Sequence, residues 1–135
     1  MALTQARNTP QKAGEVFDFP VKGSTTVHQG ALVVLAAGLA VGGSTATGLI
    51  AVGRAEASVT AVLAGDASVP VRRGIFKFAN SAAADAVAQA DVGTDCYVVD
   101  DQTVAKTNGS NTRSRAGKVA GVEADGVWVQ IGLGY

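Results

Sequence analysis

From Glu15 onward, apolar side chains fall into short runs broken by glycine, proline, aspartate and asparagine, the signature of successive β-strands. In residues 16–21, Val16, Asp18 and Pro20 alternate with Phe17, Phe19 and Val21; Pro20 cannot donate to a ladder, so an edge strand is predicted. Lys22-Gly23-Ser24 turns, and residues 31–35 (Ala-Leu-Val-Val-Leu) are apolar on both faces, which predicts a buried strand. Gly38, Gly42, Gly43 and Gly48 divide the next stretch into tight turns. Residues 49–52 and 57–63 give two further strands, the second ended by Gly65-Asp66. Residues 69–78 alternate with a change of phase that a bulge at Gly74 explains. Residues 79–90 are alanine-rich, and they are the one place where backbone propensity favours a short helix or a turn over the sheet. Residues 96–99 form a strand, Asp100-Asp101 a turn, and residues 103–105 the returning strand, before a polar loop over residues 107–114 with a turn-prone Asn108-Gly109.

The sharpest local signal is a hairpin over residues 118–131 with Asp125-Gly126 as a two-residue type I′ turn. That turn pairs Ala124 with Val127, Val122 with Val129 and Ala120 with Ile131 on one apolar face. Glu123 then sits with Trp128, and Gly121 with Gln130, on the other face.

Composition agrees with a strand-built body. Alanine, valine and glycine occupy 62 of the 135 positions, and charged residues reach 16%, below the roughly 25% of an average soluble domain. Eleven Lys and Arg balance eleven Asp and Glu, so there is no global positive field for a nucleic acid, and little self-repulsion opposes assembly of copies. Residues 1–14 carry one large aliphatic side chain besides Met1, Leu3, among Gln5, Arg7, Asn8, Pro10 and Lys12, and have nothing with which to build a core. They are read as an arm, either frayed or ordering on a neighbouring subunit, ahead of a single domain at residues 15–135. The longest apolar run, near residues 31–41, is about half a bilayer span and does not begin at the terminus, so neither a membrane helix nor a signal peptide is expected, and the chain is expected to be made in a cytoplasm.

Candidate chemistry is sparse. His28 is the only histidine, with no motif around it, and Cys96 is the only cysteine, inside an apolar run that favours an inert thiol. No disulfide, cysteine-based zinc site, catalytic set or cofactor is expected, and the chain is not read as an enzyme. The glycine-rich stretch 38–48 lacks the Gly-Lys-[Ser/Thr] ending and following helix of a phosphate loop. Asp95, Asp100 and Asp101 lack calcium-loop spacing, and Asn108-Gly-Ser110 matches a glycosylation acceptor but reads as a plain loop.

Charge order along the chain is more informative. Residues 85–101 hold Asp85, Asp91, Asp95, Asp100 and Asp101 with no cation, and residues 106–118 hold Lys106, Arg113, Arg115 and Lys118 with no anion. These runs either pair with each other on adjacent strands, or the acidic patch of one copy meets the basic patch of the next in a ring. Asp95, Asp100, Asp101, Arg113, Arg115 and Trp128 are therefore the candidate subunit-interface residues.

Two segments carry a family resemblance: residues 90–104 (Ala-Asp-Val-Gly-Thr-Asp-Cys-Tyr-Val-Val-Asp-Asp-Gln-Thr-Val) and residues 115–129 (Arg-Ala-Gly-Lys-Val-Ala-Gly-Val-Glu-Ala-Asp-Gly-Val-Trp-Val). With Gly14-Glu15 opening the first strand, Gly30 before an apolar strand, and the strand from Val71 to Phe78, the chain resembles tailed-bacteriophage capsid decoration proteins over roughly residues 13–133. The resemblance implies a small β-rich homotrimer with no activity or cofactor. Such a trimer sits outside the expanded virion head at threefold or quasi-threefold points and bridges major capsid subunits. It makes the arm residues Leu3, Gln5, Arg7, Asn8, Pro10 and Lys12 the candidate capsid contacts. The fold expected is mainly β, a compact sandwich-, barrel- or β-tulip-like domain with an extended N-terminal arm and at most one short helix. A stand-alone β-sandwich adhesin that binds sugar through Trp128 and Tyr135 is the alternative.

Overall fold

The fold is organised around a strand buried on both of its faces. In the computed structural model, which describes residues 1–135, β3 (Leu32–Ala36) has Leu32, Val33 and Val34 fully excluded from solvent. Leu32 and Val34 point into one apolar core, while Ala31 and Val33 belong to another. A strand with no solvent-facing side needs an apolar residue at every position, which is why it reads as a continuous run.

Around the second core lies a five-stranded sheet in the order β1-β7-β5-β3-β4, with β1 (Val16–Pro20), β4 (Leu39–Gly42), β5 (Ile50–Ala55) and β7 (Ser68–Arg72). As predicted, β1 is an edge strand with Pro20 exposed, antiparallel to β7. Just past it, Val21 bridges Ala40, and the Lys22 N–H donates to the Ala40 carbonyl at 3.0 Å, so the sheet curls almost shut. The short pair β2 (Thr25–Val27) and β6 (Val59–Ala61) caps this core with Val27 and Ala61. Residues 39–42, expected to be turn, are β4: Ala37 (φ 50°) and Gly38 (φ 83°) make a two-residue connection with both residues left-handed, the type I′ geometry that suits a hairpin.

The other core fills a closed five-stranded barrel in the order β10-β8-β12-β11-β9. It comprises β8 (Gly74–Asn80), β9 (Asp95–Val98), β10 (Thr103–Ala105), β11 (Arg115–Glu123) and β12 (Gly126–Ile131). The molecule is thus mainly β, a compact barrel-and-sandwich arrangement whose two halves share β3 as a wall. No helix is long and apolar enough to cross a membrane.

Two local expectations change and a third resolves to one of its options. Residues 69–78 are two strands in two different sheets: the chain crosses at Arg73, and the change of phase marks that crossing. The alanine-rich segment takes the turn of its two expected options, as two single 3-10 turns, Ala83–Asp85 and Gln89–Asp91. Its one large apolar side chain, Val87, is buried in the barrel core, and the Asn80 side chain grips the Val87 backbone, accepting from its N–H at 2.8 Å and donating to its carbonyl at 2.9 Å. One buried anchor held in this way outweighs alanine's helical preference.

The hairpin turn lies one residue earlier than predicted. Glu123 pairs with Gly126 around Ala124-Asp125, Val122 faces Val127, and a bulge at Ala120 brings Val119 opposite Val129. Ala120 and Ala124 are exposed, while Val127, Val129 and Ile131 fill the core as expected. Gly126 is required by β8, because a Cβ there would lie 2.8 Å from the Phe78 carbonyl oxygen and 2.7 Å from Lys77 Cγ. The glycine that reads as turn chemistry is in fact a close approach between strands.

Candidate functional site

The acidic and basic runs are brought together on the barrel by strand pairing. β9 lies antiparallel to β11, so Asp95 faces Lys118, and Arg115 faces Tyr97. Arg115 Nε contacts Asp95 at 2.9 Å and Lys118 Nζ contacts it at 3.3 Å. The Arg115 guanidinium holds the Asp95 carboxyl below its ordinary range, with a smaller contribution from Lys118. Asp85 accepts from the Thr107 hydroxyl at 2.6 Å and from Arg113 at 3.3 Å, and these bonds lower its pKa as well. Lys106 approaches Asp91 at 3.9 Å. Asp85, Asp91 and Asp95 thus pair within the chain, the first of the two arrangements open from the sequence. Exposed pairs of this kind contribute about 0.2–1 kcal/mol each, so their main effect is to cancel charge on the barrel surface.

Asp100 and Asp101 have a different task. The Asp100 carboxylate accepts from the Gln102 N–H at 2.9 Å, closing the turn, and the Asp101 carbonyl accepts from the Leu32 N–H at 2.7 Å. This turn ties the barrel to the shared wall. No cluster of three His, Cys, Asp or Glu side chains forms. Cys96 is buried in the barrel core beside the Gly117 carbonyl, and burial pushes its thiol up to about 12. His28 lies exposed beyond β2.

Trp128 lies on the outer face of the barrel across Gly121, where a Cβ would come within 3.5 Å of its ring. Its Nε1 donates to Glu123 at 3.0 Å, and Lys77 Nζ stands 5.6 Å from the ring centroid. Lys77 is itself held by Asp125 at 2.9 Å, a bond that raises the lysine's pKa and lowers that of the aspartate. The indole's polar handle and the ring area beside Gly121 are therefore already engaged. Comparison with protein-family models, with curated proteins and with solved structures returns no match.

The arm behaves unlike the barrel surface. Leu3, Gln5, Arg7, Asn8, Pro10 and Lys12 are all exposed, and residues 1–13 take no helix or strand. Arg7 bonds Thr9 at 3.2 Å and Lys12 stands above the Phe17 ring at 5.6 Å, both local contacts. The root is firm: Glu15 meets Arg72 at 3.2 Å, and Arg72 and Arg54 both bond Glu56, whose carboxyl is raised by burial but lowered further by these arginines.

Two surface features escaped the sequence reading. The loop after β6 exposes Val62 and Leu63, each more than 70% accessible. Around Ile50, Leu133 and Tyr135 there is a hollow of about 280 Å³. The run Val62-Leu-Ala-Gly-Asp66 did carry a signal for the first of these, an aspartate placed to cap a turn just behind two aliphatic residues.

Proposed function

We propose that this protein is a structural virion protein of the capsid decoration type. It binds the outer surface of the expanded head of a tailed bacteriophage at threefold or quasi-threefold points, assembles as a homotrimer, and bridges major capsid subunits around the packaged DNA. The observation that carries the reading is the contrast between an arm exposed along residues 1–13 and a compact β body to which its root is bonded. The resemblance over residues 13–133 supports it, as does a barrel on which Asp85 and Asp95 pair with Arg113 and Arg115 of the same chain.

In this reading the arm orders on capsid subunits and the body supplies a rigid clamp. Binding the expanded lattice more tightly than the unexpanded one stabilises the expanded form by linkage. Three linked arms turn weak single contacts into high avidity. No catalytic step or cofactor is involved. The sugar-binding alternative has less support, because Trp128 is already engaged by Glu123, Lys77 and Gly121.

Co-sedimentation with undecorated heads tests the proposal, comparing expanded with unexpanded particles and the full chain with one lacking residues 1–14. Selective binding to expanded heads, weakened by the truncation, is the expected result. Absence of binding to either form sinks the capsid role.

A further inference from the structure

At one end of the first sheet the chain carries an apolar tip. Val62 and Leu63 are exposed side by side, yet their backbone is tightly held: the Asp66 carboxylate accepts from the Val62 N–H at 3.3 Å and from the Leu63 N–H at 3.0 Å. The Val62 carbonyl takes the Ser24 N–H at 3.0 Å, and the Gly65 N–H donates to the Val21 carbonyl at 2.9 Å. Aliphatic side chains presented on a rigid loop lose little entropy on docking.

The hollow lies at the other end. Leu49, Ile50, Arg115, Ala116, Leu133 and Tyr135 form part of its lining. Ile50, Leu133 and Tyr135 are themselves exposed. Arg73 fixes this wall, donating to the Leu133 carbonyl at 2.8 Å and stacking 5.0 Å from the Tyr135 ring centroid. The tip precedes Ser68 at the start of β7, and Arg73 follows Arg72 at its end, so the length of that strand separates tip from hollow within one chain.

Charge complements shape. Arg73 has no carboxylate partner, and its buried Nε has no hydrogen bond. Asp18, on the exposed face of β1, and Asp66, at the tip, have no cation partner, and Lys22 is the cation beside them in the chain. We propose that the Val62–Leu63 tip of one copy seats in the Ile50–Leu133–Tyr135 hollow of a second copy, head to tail, with Asp18 and Asp66 facing Arg73. The contact rests on the self-assembling reading above and assigns its surface. Tip and hollow are different patches, so the contact is heterologous and propagates until a ring closes.

Sedimentation velocity of the full chain over a wide concentration range tests this, with Leu63→Asp in the tip and Ile50→Asp in the hollow. Both positions are solvent-facing, and circular dichroism verifies that the variants fold. The wild type assembles, and each variant alone associates about 30-fold or more weakly, as expected for losing a central apolar anchor. Mixing the two variants restores one good tip against one good hollow and yields dimers that grow no further. A wild type that stays monomeric, variants that assemble normally, or a mixture that stays monomeric overturns the proposal. Loss of assembly on removing residues 1–14, with both point variants assembling, assigns the hollow to the arm instead. Assembly through this contact without affinity for expanded heads leaves it standing and removes the capsid role; a monomer that binds heads does the reverse.

Discussion

The barrel and the first sheet are built from the same small apolar residues but treat their edges and charges differently. Every barrel strand is hydrogen-bonded on both sides, and Asp85, Asp91 and Asp95 there meet arginines and lysines of the same chain. The first sheet keeps β1 as an edge, roots an exposed arm, and presents the Val62–Leu63 tip beside it. A closed sheet offers no backbone to a partner, whereas an open one must be covered, blunted or used. The barrel is therefore the anchor and the first sheet the side that reaches outward.

The largest effect is expected at the wall between them. Leu32→Ala removes a fully buried side chain that packs into the barrel from the first sheet, and a loss of about 2–5 kcal/mol is expected in urea unfolding. Because the wall is shared, labelling of Cys96 in the barrel and loss of the β circular-dichroism signal follow one transition; two separated transitions would show that the halves are independent. Next comes Gly126→Ala, which crowds Phe78 and Lys77 and costs about 1–3 kcal/mol. If the glycine served the turn alone, replacement at a residue without a left-handed φ would cost less than about 1 kcal/mol, so the measured value separates the two roles.

Acid sharpens the contrast further. Asp85, Asp95 and Asp125 on the barrel and Glu56 on the first sheet all titrate below their ordinary values of 3.8 and 4.5 in the folded chain. Stability from these pairs is complete above those ordinary values and is lost as pH falls from there through the lower folded values. The melting temperature is expected to drop below about pH 4.5, and Asp95→Asn to reduce the steepness of that drop. The smallest effect is a gain: Ala37→Asn replaces a left-handed alanine in a type I′ turn with a residue suited to it, adding up to about 1 kcal/mol in thermal unfolding.

Much of this could be read from residues in order. The edge strand with Pro20, the doubly buried run at residues 31–35, the polar loop before Arg115 and the alternating core face of β12 each follow from a local pattern. So did the opposite charge runs and the exposed composition of the arm. Pairing of Asp95 with Arg115 remained one of two options, because charge order says which groups attract and not whether they share a chain.

What the tertiary structure alone decided has one physical cause: contacts between residues distant in sequence outweigh local preferences of about a kilocalorie. Phe78 and Lys77 on β8 crowd position 126, where a hairpin turning at Ala124-Asp125 places glycine. Val87 is buried in the barrel core among residues of distant strands, and the alanine-rich segment does not become an α-helix. Arg73 ends one strand and hands the chain to a second sheet, where the phase of residues 69–78 shows only a break. The sequence by itself determined that the body is built of short strands, which run is buried on both faces, and that little charge keeps copies apart. Only the closing of those strands into a barrel and a curled sheet could place an apolar tip and a hollow lined by Ile50, Leu133 and Tyr135 at opposite ends of β7, since such a relation exists in space and not along the chain.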